Sequence, residues 1–275
     1  MKIDGREISK TILGDLKKRV EKLKEKKIIP HLYIILLSDD ASSGSYVKQK
    51  MLRGEELGIK ITIDKENPQI TTEQLVKKIE ILNNDNLIHG IIVQRPMPKY
   101  LDAEIIANAV IPFKDVDGFN EFSEFEVPVV LAVLRLIQSV LNKEDLMHFL
   151  KSKKIAVIGK GITAGKPIIN FFKDLGENIE TIDTSTKNKE KILNQADIII
   201  SAVGKENVFD ISDVKKGVIL IGVGLHKESD GKFYGDFKED NLEKAAYYSP
   251  TPGGVGPVNV AMLMKNLVEA AENQS

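Results

Sequence analysis

The apolar run Lys154-Ile155-Ala156-Val157-Ile158 stops at Gly159-Lys160-Gly161-Ile162-Thr163-Ala164-Gly165-Lys166-Pro167, and a helical pattern with Ile168, Ile169, Phe172 and Leu175 follows at once. Strand, glycine turn and helix in direct succession are what a dinucleotide requires. Glycines let the backbone approach a pyrophosphate, and the helix start presents free N–H groups and the positive end of its dipole. The spacing G-x-G-x-x-x-G is longer than the common G-x-G-x-x-G, so turn formation alone is the plainer alternative. A nucleoside triphosphate loop is excluded, because no Ser or Thr follows Lys166 and the glycine spacing is wrong for it.

Periodicity extends this pattern over the chain. Ile8, Ile12, Leu16, Val20 and Leu23 recur at helical spacing, and the short apolar run 32–37 reads as a buried strand. Helices over about 45–57 and 72–82 then alternate with strands near 59–63 and 88–93. A mostly helical region, 128–150, leads into a second series with strands at 154–158, 179–182, 197–202 and 218–223. Such alternation predicts parallel α/β sheets. The expected architecture is α/β with two domains: residues 1–125 with 258–275 as the catalytic, substrate-binding domain, and residues 126–257 as a Rossmann-like dinucleotide-binding domain. The final helix, about 258–272, returns to the first domain. It follows Ser249-Pro250-Thr251-Pro252-Gly253-Gly254-Val255-Gly256-Pro257, a loop shaped by rigid Pro and permissive Gly.

Composition narrows the partners. Thirty-nine basic and 40 acidic residues leave a formal charge of -1, which gives no global field favouring nucleic acid or an anionic membrane. There is no Cys, and His31, His89, His148 and His226 are too scattered for a zinc motif, so no metal is expected. No run approaches the roughly 20 apolar residues of a membrane span, and no signal peptide is visible. A cytoplasmic protein is the default expectation.

Two groups of residues carry the chemistry. Asp183 stands about 20 residues beyond the glycine turn, where a carboxylate accepts bonds from an adenosine ribose and favours NAD. Lys160 argues the other way, since an ammonium there would neutralise the 2′-phosphate of NADP. Gly204 and the segment Gly224-Leu225 end later strands and leave room for a flat ring. In the first half, Tyr46 and Lys50 lie four apart on one helix face, a spacing that by itself is ordinary surface decoration. Gln94 closes a strand and Asp117 sits in Lys114-Asp115-Val116-Asp117-Gly118, so both belong at a sheet edge where they and Lys50 would meet.

With these segments in place, the chain resembles the bifunctional methylenetetrahydrofolate dehydrogenase/cyclohydrolase family. The resemblance runs in order through Tyr46-x-x-x-Lys50, Gly90-Ile-Ile-Val-Gln94-x-Pro96-x-Pro98, Lys114-Asp-Val-Asp-Gly118, Gly165-Lys-Pro167, Ala202-Val-Gly204 and Pro252-Gly-Gly-Val-Gly-Pro257. It implies a homodimer that takes folate in a cleft and NADP on the second domain. Hydride passes from the methylene bridge to the nicotinamide, and water then opens the methenyl ring to give 10-formyltetrahydrofolate. It further implies Lys50 as the central catalytic residue, Tyr46 orienting the substrate, Gln94 bonding near Lys50 and Asp117 on the polar edge of the pterin. Pro252, Gly253 and Gly254 would wall the pterin, while Gly159, Lys160, Gly161, Gly165, Asp183, Thr184, Gly204 and Leu225 would line the cofactor.

The departures are specific. Arg95 stands where the family has Leu, and Val127-Pro128-Val129-Val130-Leu131 replaces a Pro-Cys-Thr-Pro segment. The family's Gly-Arg-Ser turn is Gly159-Lys160-Gly161, and its His-Ser is Asp183-Thr184. NAD therefore competes with the NADP that the family leads one to expect. These changes also leave room for a dehydrogenase-only or modified-pterin variant, and for a noncatalytic dinucleotide-binding regulator.

Overall fold

The computed structural model describes residues 1–37, 41–239 and 242–275, without the side chains at positions 41–43, 45 and 46. In chain order come α1 (Gly5–Glu25), β1 (His31–Leu36), α2 (Ala41–Leu57), β2 (Lys60–Lys65), α3 (Thr72–Asn83), β3 (Gly90–Val93) and α4 (Ala103–Ala109). Next are α5 (Pro128–Gln138), α6 (Leu146–Lys151), β4 (Ile155–Ile158), α7 (Gly165–Asp174), β5 (Ile179–Ile182), α8 (Lys189–Gln195) and β6 (Ile198–Ser201). The chain ends with β7 (Val218–Gly222), β8 (His226–Lys227), β9 (Phe233–Tyr234), β10 (Ala245–Tyr248) and α9 (Val255–Asn273).

Two compact units result. One comprises residues 10–128 and 260–275, the other residues 1–9 and 129–259. The first holds a parallel three-stranded sheet, β2-β1-β3. Its central strand buries Leu32, Ile34 and Ile35 completely. Helix α1 forms because Leu16, Val20 and Leu23 recur on one face, and each of these nearly fully buried side chains is worth roughly 1.5–3 kcal/mol of burial. Its start is capped by Asp4, whose carboxylate accepts the amides of Arg6 and Glu7. Helix α3 begins with a capping box in which Thr71 and Gln74 satisfy each other's backbone amides. The returning part of α9 buries Leu263, Met264, Leu267 and Val268 in this unit.

The second unit holds a parallel five-stranded sheet ordered β10-β7-β6-β4-β5. Strands β4, β6 and β7 are buried throughout, as continuous Val/Ile/Leu runs require when helices cover both faces. A small hairpin, β8 with β9, follows β7.

Two boundaries differ from the periodicity. The helical stretch expected over 128–150 is two helices, because Lys143 takes a left-handed backbone (φ 66°) and Asp145 then caps α6 through the His148 amide at 2.8 Å. Helix α9 starts at Val255, ahead of the expected 258, so Pro257 falls in its first turn, where a missing N–H costs nothing.

Candidate active site

In both sheets the strand order reverses beside a central strand, and the crevice outside the carboxyl ends at such a point is where open α/β sheets bind ligands. In the three-stranded unit that point lies between β1 and β3. Gln94 leaves β3 there, and its backbone N–H donates to the Ile35 carbonyl at 2.9 Å. Lys50, on α2, is only 8% exposed and donates from Nζ to Gln94 Oε1 at 2.9 Å. The other end of the Gln94 amide donates to the Arg95 carbonyl at 2.8 Å, which fixes which end faces the lysine. Burial pushes the Lys50 ammonium below the usual lysine range, and the charge of Asp117 opposes that shift. Lys50, Gln94 and Asp117 are therefore brought together. Tyr46 stands one turn before Lys50 on α2, but its side chain and the loop residues Ser38, Asp39 and Asp40 lie outside the described residues.

The turn that carries Asp117 is built from below. Lys114 is 2% exposed and donates to the carbonyls of Leu82 at 3.4 Å and of Asn83 and Asp85 at 2.8 Å, capping the end of α3. Asp115 is buried and accepts the Asn120 amide at 2.7 Å, and burial pushes its carboxyl up to about 6. From α9, Asn266 donates to the carbonyls of Val116 and Glu126 at 3.0 Å each. Gly118, at φ 73°, closes the turn where a Cβ would meet the Phe125 carbonyl at 2.8 Å. Asp117 is left half-buried beside Arg95 in a small crevice also lined by Met97, Asp115 and Phe119. The Arg95 guanidinium does not escape to water; it lies 4.0 Å from the centre of the Phe119 ring. Motif reading treated Lys114 and Asp115 only as neighbours of Asp117; burial of two charged residues in one five-residue segment is not visible in sequence.

In the five-stranded unit, β4 and β6 flank the reversal. Gly159 follows β4 at φ 95°, and a Cβ there would meet the Ala202 carbonyl at 2.6 Å. Gly165 opens α7, where a Cβ would sit 2.2 Å from the Gly159 carbonyl. Among the described residues, no side chain caps α7. Space that only glycine permits and an uncapped helix start fit a pyrophosphate. Gly161 is different, since a side chain there would meet nothing. At the end of β5, Asp183 and Lys160, read from sequence as rival signals, are joined at 2.8 Å. Asp183 also accepts from Ser185 and Thr186, and Lys160 foremost, then Ser185, holds its carboxyl well below the usual range. Thr184 is exposed beside it. Gly204, at φ 73°, packs near the Leu225 carbonyl, so these two lie together beyond β6 and β7. Pro252, Gly253 and Gly254 form the shaped loop after β10, in which a Cβ on Gly254 would meet the Pro250 carbonyl at 2.6 Å.

Among the described residues, no helix is long and apolar enough to cross a membrane.

Comparison with known proteins agrees with both halves. Residues 3–117 match the sequence model of the tetrahydrofolate dehydrogenase/cyclohydrolase catalytic domain, and residues 132–275 match that family's NAD(P)-binding domain. The bifunctional protein FolD of Nautilia profundicola is 36% identical over 98% of this chain and 97% of its own length. The solved bifunctional FolD methylenetetrahydrofolate dehydrogenase/cyclohydrolase of Campylobacter jejuni is 34% identical, with a TM-score of 0.92 over 100% of this chain and 99% of that one. The Trypanosoma brucei enzyme, described as complexed with NADP cofactor and inhibitor, is 26% identical with a TM-score of 0.89, covering 99% of this chain and 97% of that one. The chain thus belongs to the tetrahydrofolate dehydrogenase/cyclohydrolase family, enzymes that oxidise methylenetetrahydrofolate with a nicotinamide dinucleotide and hydrolyse the methenyl product.

Proposed function

We propose that Lys50, Gln94 and Asp117, together with Tyr46, form the folate site and that Lys50 is its proton carrier. The buried Lys50–Gln94 bond carries this reading. When bound, a nicotinamide dinucleotide supplies the hydride acceptor for oxidation of 5,10-methylenetetrahydrofolate. Ring opening then falls to the chain's own groups. A desolvated amine with lowered basicity takes a proton from the water that attacks the methenyl carbon, and returns it to the nitrogen that leaves. Gln94 holds the amine in place through its oxygen, which serves both protonation states because an amide oxygen accepts from NH2 and NH3+ alike. Asp117 offers acceptors to the donor edge of an aminopyrimidine. In an assay given methenyltetrahydrofolate directly, Lys50→Met should lower hydrolysis at least ~100-fold while dinucleotide still binds. Unchanged hydrolysis removes the role.

The cofactor is the second part of the reading. Residues Gly159, Gly161, Gly165, Gly204 and Leu225 would hold a dinucleotide of either kind, and we propose that this chain favours NAD. The Lys160–Asp183 pair supports this, because its opposite charges cancel and leave no net positive charge for a 2′-phosphate. Oδ1 of Asp183 already accepts from Ser185 and Thr186, whereas Oδ2 accepts, among the described residues, only Lys160 and keeps a lone pair for a ribose hydroxyl. Comparing kcat/KM for NAD and NADP tests it, and Asp183→Ser should shift the ratio toward NADP. A cytoplasmic homodimer completes the proposal, and sedimentation of the purified chain reads the assembly.

A further inference from the structure

Beyond β6 the chain passes a carboxylate to which neither motif nor resemblance drew attention. Asp236 is 0% exposed. Its Oδ2 accepts Ser201 Oγ at 2.6 Å and the Val203 amide at 2.9 Å, and its Oδ1 accepts the amides of Gly204 at 2.7 Å and Lys205 at 3.1 Å. Four donors match the lone pairs of one carboxylate, which lets a charge stay buried. The approach is possible because residue 224 is glycine: a Cβ there would lie 2.2 Å from both carboxylate oxygens. The segment that Asp236 gathers is the one against which the glycine turn rests. A Cβ on Gly159 would meet the Ala202 carbonyl at 2.6 Å and Val203 Cγ2 at 3.1 Å. With its amides turned inward to the carboxylate, this segment leaves Val203 37% exposed, an apolar face at the carboxyl edge of the sheet.

We propose that Asp236 is a positioning residue for the dinucleotide: it fixes residues 202–205 as the wall beside the glycine turn on which the cofactor's flat ring rests. It touches no reacting atom. The proposal rests on reading the 159–165 turn as the dinucleotide site. Its consequence is selective, because methenyl hydrolysis needs no dinucleotide. Asp236→Asn keeps the shape but turns an NH2 group toward backbone N–H donors, so one arm of the fork is lost and the segment must shift. The expected result is a KM for dinucleotide raised at least ~10-fold and a lower dehydrogenase kcat, with methenyl hydrolysis within about twofold of the parent. Amide exchange at 203–205 should quicken in parallel. Ser201→Ala removes one of the four donors and should raise the same KM about threefold; it decides the matter if Asp236→Asn does not fold. An unchanged KM in a folded variant, or equal loss of both activities, overturns the proposal. Gly165→Val serves as the separate control: if it too leaves dinucleotide binding intact, the fault lies with the site reading and not with Asp236 alone.

Discussion

At the scale of single residues, what matters is how burial makes ordinary side chains reactive or costly. Lys50 gives up hydration for one amide oxygen, and that exchange lowers its basicity. Replacing its partner by a carboxylate, Gln94→Glu, restores a favourable charge and should raise the basicity again. Hydrolysis at neutral pH should fall, and its rise with pH should move to higher pH; a profile that does not move excludes the neutral amine as the base. Asp115 shows the opposite sign. Its folded value of about 6 lies above the ordinary 3.8, so the folded state holds the extra proton between those values. Stability from this group is full below pH 4 and is lost as pH rises through 6, by about 3 kcal/mol in all. Asp115→Asn escapes the loss, so its stability relative to the parent should grow between pH 4 and 7 in urea titrations. A constant difference would show that Asp115 ionises freely. That Lys50, Gln94 and Asp117 lie together could be read from sequence, because strand ends and helix spacing converge there. Arg95 could not, since its shelter is a ring, Phe119, 24 positions away along a path that no local pattern describes.

At the scale of elements, the sites follow from where each sheet reverses its order. The helix α2 that follows β1 and the end of β3 deliver Lys50 and Gln94 to one crevice, and β4 and β6 deliver Gly159 and Ala202 to another. The long strands and helices were legible from period alone, because apolar residues repeat wherever an element faces a core. The break between α5 and α6 was not, since 128–141 and 146–150 carry apolar residues on either side of a polar gap that a helix could equally expose. The two-residue strands β8 and β9 are too short for any period to register. Lys114 belongs to this scale as well, because its ammonium stands in for the residues that would continue α3. Lys114→Met leaves the Asn83 and Asp85 carbonyls without their donor and should cost about 3 kcal/mol. Thr71→Ala, at the exposed start of the same helix, should cost only about 1 kcal/mol. Equal effects would mean that the helix end is solvated and the lysine is incidental.

At the scale of the whole molecule, the chain leaves its three-stranded unit after residue 128 and comes back at 260. The return is not only apolar filling. Arg19 and Glu272 join α1 to the end of α9 through paired bonds, and Asn266 reaches the backbone of residues 116 and 126 with a single side-chain amide. Those two carbonyls flank the turn that presents Asp117, so a residue from the last sixteen positions holds a candidate site residue from the first half of the chain. Asn266→Leu keeps the size but removes the donor, leaving two carbonyls short of a partner at a cost of about 2–3 kcal/mol. In a chain of this length that loss lowers the melting midpoint by several degrees, about 2–4 °C per kcal/mol. The turn should also loosen, raising the KM for methenyltetrahydrofolate while dinucleotide affinity, which belongs to the other unit, stays unchanged. A fall in stability without a change in folate KM would mean that Asp117 is held by Asp115 and Gly118 alone, and that the returning helix supports the fold but not the site.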